Sequence, residues 1–207
     1  MNALILVDLQ NDFVPGGTLP VPDGNAVVPI ANKLLTSKRF DLVVATQDWH
    51  PDCHGSFAAA HPGHSVGDVI TLNGLPQVLW PVHCVQGSRG ADFLPGLDRS
   101  RVEHVFQKGT DAAIDSYSGL FDNRRRKSTG LGEWLKEQGV KEIFVSGLTI
   151  EYCVKFTALD AVGLGFKVHL IEDASRGVNL QPGDVQRAVA EMREKGVEIT
   201  TSEAYLR

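Results

Sequence analysis

Short apolar runs alternate with segments of helical periodicity along almost the whole chain, and that alternation most narrows the fold. Strands are predicted at residues 3–7, 42–45, 102–106, 143–146, 168–171 and 197–200, most of them too continuously apolar for a strand with one wet face. Helices are predicted between them. One spans 26–35, with Val27, Ile30, Ala31, Leu34 and Leu35 on a single face, and a second spans 131–138 and stops at Gly139. A third runs from Glu151 to Val162 ahead of Gly163, and a fourth starts at Pro182, where proline is tolerated in the first turn, and stops before Gly196. Strands that are apolar on both faces need cover on both faces. The chain therefore reads as α/β: a three-layer αβα arrangement around a central, mostly parallel six-stranded sheet with right-handed crossovers. Ligands in such folds sit at the carboxyl ends of the strands.

With 207 residues, 43% of them hydrophobic, the chain can bury one full core, so residues 1–207 are expected to form a single domain. The stretch at about 48–100, rich in Gly and Pro, is too long for a simple connection and reads as an excursion that walls a site. A net charge of -5 argues against nucleic acid or anionic membrane as the main partner. The run Arg124-Arg125-Arg126-Lys127 reads as a solvated loop. No stretch reaches the length of a membrane span, and the N-terminal residues lack the basic start and cleavage site of a signal peptide, so a cytoplasmic location is expected. Cys53, Cys84 and Cys153 cannot all pair with one another, and in a reducing compartment a thiol that matters is reactive rather than bridging. The expected partner is a small-molecule substrate. A homo-oligomer is left open.

Chemistry concentrates in Asp48-Trp49-His50-Pro51-Asp52-Cys53-His54, directly after an apolar run. A carboxylate and an imidazole two residues apart on an extended segment point to the same side, and the Pro-Asp-Cys turn can return His54 towards them. His83, in a Pro-containing loop, is a fourth candidate. Oxygen and imidazole donors suit zinc, iron or manganese better than calcium. One such histidine alone would read as a loop cap; the set carries the metal reading.

The strand-end rule selects further residues. Asp8, Asp48 and Lys108 end the first three strands, and the fourth runs into Ser146-Gly147-Leu148-Thr149-Ile150-Glu151-Tyr152-Cys153. Cys153 is expected in the first turn of a helix, where the dipole and the Lys108 ammonium would lower its pKa. Asp8 could take the thiol proton and later return it to a leaving group, and the backbone N–H groups of Thr149 and Cys153 could hold an oxyanion.

These same segments resemble nicotinamidases of the isochorismatase-like superfamily: Val7-Asp8-Leu9-Gln10-Asn11-Asp12-Phe13, Gln47-Asp48-Trp49-His50-Pro51, His54-Gly55-Ser56-Phe57, Trp80-Pro81-Val82-His83-Cys84-Val85-Gln86, Lys108-Gly109, Asp115-Ser116-Tyr117-Ser118, Glu151-Tyr152-Cys153-Val154-Lys155-Phe156-Thr157 and Asp173-Ala174-Ser175-Arg176-Gly177-Val178-Asn179. The resemblance covers nearly the whole chain in order. It implies a catalytic triad of Asp8, Lys108 and Cys153 that hydrolyses nicotinamide to nicotinate and ammonia through a thioester, with pyrazinamide as a close analogue. It further implies one divalent metal on Asp48, His50 and His83, which holds the pyridine nitrogen and ordered waters. His54 matches a position that binds the metal directly in some members and through water in others. Phe13, Trp80 and Tyr117 match residues that line the ring pocket, and a non-proline cis peptide is expected at Leu148–Thr149.

Within the nucleophile loop the chain departs from the pattern, which commonly has Thr and Asp where this chain has Ile150 and Glu151. The expectation is tuning of activity rather than its loss. The alternative readings are another cysteine amidohydrolase of the superfamily acting on a carbamoyl or other small amide, and a metal-binding protein on a retired hydrolase scaffold.

Overall fold

The structure, a computed structural model, describes residues 1–206. Its main sheet holds strands β1 (Asn2–Val7), β2 (Leu42–Asp48), β5 (His104–Lys108), β6 (Glu142–Leu148), β7 (Lys167–Arg176) and β8 (Glu198–Thr200), in the order β5-β2-β1-β6-β7-β8. Every pairing in it is parallel, so the sheet is wholly rather than mostly parallel. β1 shows why: Ala3, Ile5 and Val7 enter one core and Leu4 and Leu6 the other, and all five are fully buried. Helices α2 (Leu131–Glu137), α3 (Lys155–Gly163) and α4 (Asp184–Glu194) cover the first face. The other is covered by α1 (Val27–Thr36), through Val27, Ala31, Leu34 and Leu35, together with Phe40 and Tyr205. Among the described residues no helix is long and apolar enough to cross a membrane.

Several boundaries differ from the predicted ones. β2 continues past Ala45 through Thr46, Gln47 and Asp48, because each buried polar group finds a partner: Thr46 donates to Asp8, Gln47 to the Ala91 carbonyl, and the Asp48 backbone pairs with Gln10. β5 lies two residues later than predicted, since pairing of Val44 with His104 and of Asp48 with Lys108 sets its register. The predicted third helix is two elements: a π-helical turn, Ile150–Val154, precedes α3. α4 starts after Pro182 rather than at it. The excursion contains an antiparallel hairpin that the periodicity reading passed over, β3 (Val69–Leu72) and β4 (Leu75–Val78), whose Asn73-Gly74 turn adopts positive φ at both residues. That dipeptide is the strongest short-range hairpin signal in a sequence.

The strand order reverses beside β1: β2 and β5 extend the sheet one way, and β6, β7 and β8 the other. A crevice opens at the carboxyl ends where such a reversal occurs.

Candidate active site

Asp8, directly after β1, and Cys153, in the turn after β6, flank that crevice, and the end of β5 brings in Lys108. All three are buried. β1 and β6 approach closely at Gly147, where a Cβ would lie 2.1 Å from the Val7 carbonyl oxygen. The peptide bond between Leu148 and Thr149 is cis. Lys108 Nζ lies 3.0 Å from Asp8 Oδ2, 2.9 Å from Asp48 Oδ1, 3.0 Å from the Ser116 carbonyl and 3.4 Å from Cys153 Sγ. The Asp8 contact is an ion pair without hydrogen-bond alignment. Thr46 Oγ1 donates to Asp8 Oδ1 at 2.6 Å.

Burial works against the Lys108 ammonium, but Asp48, Asp8 and Cys153 outweigh it and hold the pKa well above the ordinary lysine value. For Asp8 burial prevails over Lys108 and raises the carboxyl above its usual range. Burial raises Asp48 too, yet His50 and Lys108 together hold it well below that range. The Cys153 thiol corrects the sequence expectation: burial raises it well above the free-thiol value, against the pull of Lys108, and Asp8 and Asp48 add to the rise. Desolvation and two nearby carboxylates work against one ammonium, an arrangement that favours the thiol over the thiolate.

Beside this group lies a second cluster. Asp48 Oδ2 is 2.9 Å from His50 Nε2 and 3.3 Å from His83 Nε2, and one donor atom from each of the three lies within 4.8 Å of the others. His50 Nδ1 faces the Gly109 carbonyl at 2.9 Å and His83 Nδ1 the Pro81 carbonyl at 2.8 Å. A carbonyl only accepts, so each Nδ1 carries a hydrogen, and in the neutral ring each Nε2 has a lone pair towards Asp48. Gly109 sits tight in this clamp: at φ +65° a Cβ there would fall 2.4 Å from His50 Cε1.

His54 stands apart from that trio and groups instead with His50 and Asp115. Its Nδ1 lies 2.7 Å from the Ser56 hydroxyl and 3.2 Å from the Ser56 backbone nitrogen, and burial with His50 nearby lowers its pKa. Its Nε2 is buried without a hydrogen-bond partner. Two buried carboxyl groups, Asp8 and Asp48, face the Lys108 ammonium, and a third, Asp115, lies by His50 and His54. Imidazole nitrogens of His50 and His83 beside the Asp48 carboxylate, with the unpartnered His54 Nε2 close by, fit a divalent cation.

The pocket beside both clusters encloses about 380 Å³ counted to its open mouth. Phe13, Trp80, Tyr117 and Thr149 line it, as do Asp48, His50, His83, Lys108 and Cys153; His54 does not. The sequence reading missed Leu19, Asp115, Tyr152 and Val178 as lining residues. Asp115 carried a signal as an unassigned acid beside Tyr117, and Tyr152 as the neighbour of Cys153. Val178 lay within a segment that resembles the family, and Leu19 carried no signal, since only the fold brings its loop to the pocket. At the departure from the family pattern, Ile150 is buried in the core, and Glu151 Oε1 accepts the Asn179 backbone N–H.

A strand-end thiol, acid and lysine in a doubly covered parallel sheet define a class of hydrolase. Residues 2–204 match the isochorismatase domain model, and the chain belongs to the isochorismatase family. It is 49% identical over 201 residues to the nicotinamidase of Escherichia coli (strain K12), covering 96% of this chain and 94% of that protein. Its fold matches a nicotinamidase/pyrazinamidase of Acinetobacter baumanii with a TM-score of 0.94 at 44% identity, covering 98% of this chain and 97% of that one. A pyrazinamidase of Pyrococcus horikoshii in complex with zinc matches with a TM-score of 0.77 at 38% identity, covering 97% and 98%.

Proposed function

We infer that the chain is a nicotinamide amidohydrolase that produces nicotinate and ammonia, works through a cysteine thioester, and supplies NAD salvage. The reading rests above all on one set of contacts: an ammonium 3.0 Å from the Asp8 carboxylate and 3.4 Å from the Cys153 sulfur, in a pocket walled by aromatic rings. A flat pyridine ring suits such walls.

Cys153 starts as a neutral thiol. Asp8 removes its proton as the sulfur attacks the carboxamide carbon, and the carbonyl π electrons move to oxygen. Backbone N–H groups of Thr149 and Cys153 receive that oxyanion. When the carbonyl re-forms, the C–N bond breaks, Asp8 gives its proton to the departing nitrogen, and ammonia leaves a thioester. Water then adds to the thioester while Asp8 takes its proton; the C–S bond breaks, nicotinate departs and the thiol is restored. The raised pKa of Asp8 suits a group that accepts and returns a proton in each half. Lys108 holds Asp8 in place and stabilises the thiolate as it forms.

Asp48, His50 and His83 would hold a divalent metal: zinc, as in the Pyrococcus horikoshii relative, iron or manganese. When bound, the metal supplies an electrophilic contact for the pyridine nitrogen and orders water. His54 stands beside that trio with His50 and Asp115. Pyrazinamide, which differs by one ring nitrogen, fits the same description.

The test is ammonia release from nicotinamide by native, Cys153→Ala and metal-stripped protein. Turnover by the native protein alone is expected. Hydrolysis retained by Cys153→Ala would replace the thiol mechanism, and a native, reduced, metal-loaded protein without turnover would overturn the substrate.

A further inference from the structure

The hairpin places one buried amide where two pocket residues meet. Gln77, on β4, is 3% exposed. Its Nε2, with two hydrogens, faces three acceptors: the Val78 carbonyl at 2.7 Å, Asp115 Oδ2 at 3.0 Å and the Tyr117 hydroxyl at 3.1 Å. All of its neighbours accept, so turning the amide over would set its oxygen against a carboxylate and a carbonyl; this orientation is the only one that satisfies them. Three residues on, Trp80 Nε1 also donates to the Tyr117 hydroxyl, at 3.3 Å. The Tyr117 hydroxyl oxygen therefore faces two N–H donors from one short segment. Asp115 Oδ1 is likewise engaged, accepting the Ser116 backbone N–H at 2.7 Å.

We propose that Gln77 is a positioning residue for substrate binding: through a single amide, the hairpin fixes both the Tyr117 hydroxyl at the ring wall and the Asp115 carboxylate near His50 and His54. Gln77 does not line the pocket; it acts through the two groups that do. The inference deepens the nicotinamidase reading and rests on it for its kinetic test. Removing the amide strips Asp115 Oδ2 of its donor and leaves the Tyr117 hydroxyl on Trp80 alone, so the ring loses part of its preformed seat.

Kinetics of Gln77→Leu, Tyr117→Phe and the double variant, all metal-loaded, test it. Gln77→Leu is expected to raise KM for nicotinamide about tenfold with kcat changed less than about threefold. In the Tyr117→Phe background the same change should raise KM by less than about threefold, because the hydroxyl it acts through is gone. A KM unchanged in Gln77→Leu, or an equal loss in both backgrounds, would reduce Gln77 to a hairpin anchor and overturn the proposal. Should Gln77→Leu fail to fold, Gln77→Glu keeps the shape and reverses the polarity; a native KM in that variant overturns the proposal equally. A crystal structure of whichever variant folds separates this idea from the choice of substrate. Tyr117 and Asp115 should leave their places, and unmoved side chains would end the proposal whatever the protein hydrolyses.

Discussion

The thiol end and the metal end of the site are built in opposite ways. Asp8, Lys108 and Cys153 stand on or just after β1, β5 and β6, so ladder pairing such as Val7 with Gly147 and Asp48 with Lys108 sets their spacing. At the metal end only Asp48 ends a strand, while His50, His54, His83 and Asp115 come from loops. Each loop ring is held by its own hydrogen bond, and the Gln10 amide grips the Asp48 backbone from both sides, at 2.8 Å to N and 2.8 Å to O. Asp12 accepts the Cys84 N–H at 2.7 Å, next to His83. Geometry imposed by a sheet is shared among many ladder bonds, whereas geometry imposed on loops depends on single clamps. Lys108 joins the two ends by touching both Asp8 and Asp48.

The largest expected effect lies at the thiol end. Cys153→Ala should lower turnover by at least about 10⁴-fold, as removal of a nucleophile does, while bound metal measured by elemental analysis stays at the native level. Loss of metal in that variant would break the claim that the two ends are built separately. Next come the ligands. His50→Ala and His83→Ala should each weaken metal binding by more than about 100-fold, whereas His54→Gln should stay within about tenfold, as for a group beyond the ligand shell. Metal-stripped His54→Gln rebinding no more readily than His83→Ala would make His54 a ligand after all.

A clamp is the third target. Gly109→Ala drives a methyl into the His50 ring and is expected to cost about 10-fold to 100-fold in metal affinity, with alkylation of Cys153 at the native rate. A slowed alkylation would show that strain passes through Lys108 into the triad. The smallest effect is electrostatic. Asp8 must be ionised to accept the thiol proton, and burial raises its pKa, so kcat/KM should fall as pH drops through a value above the ordinary carboxylate range. The Thr46 hydrogen bond favours the ionised form; Thr46→Val should therefore move the acid limb upward, by roughly 0.5 to 1 pH unit for one hydrogen bond. A limb that stays put belongs to a different group.

Legibility followed the same division. Strands 3–7, 143–146 and 168–171 could be read because an unbroken apolar run has one stable solution, burial on both faces. The carboxyl-end rule then selected Asp8, Lys108 and Cys153 as a set. Thr46 and Gln47 were left outside the apolar run 42–45 because hydropathy treats them as loop residues; partners distant in sequence make them strand. Asn73-Gly74 announced a hairpin, yet nothing local tied Gln77 to Tyr117 and Asp115.

By itself, the sequence determined the layered parallel sheet, the family, the chemistry of the residue types and which of them crowd the strand ends, because periodicity and motif order are local properties of the chain. Only the tertiary structure brought together the groups that bear on protonation: burial and two carboxylates raise the Cys153 thiol against Lys108, carbonyls face the Nδ1 atoms of His50 and His83, and the Gln77 amide lies between Asp115 and Tyr117. Desolvation and hydrogen-bond direction depend on groups far apart along the chain, and folding alone brings those groups together.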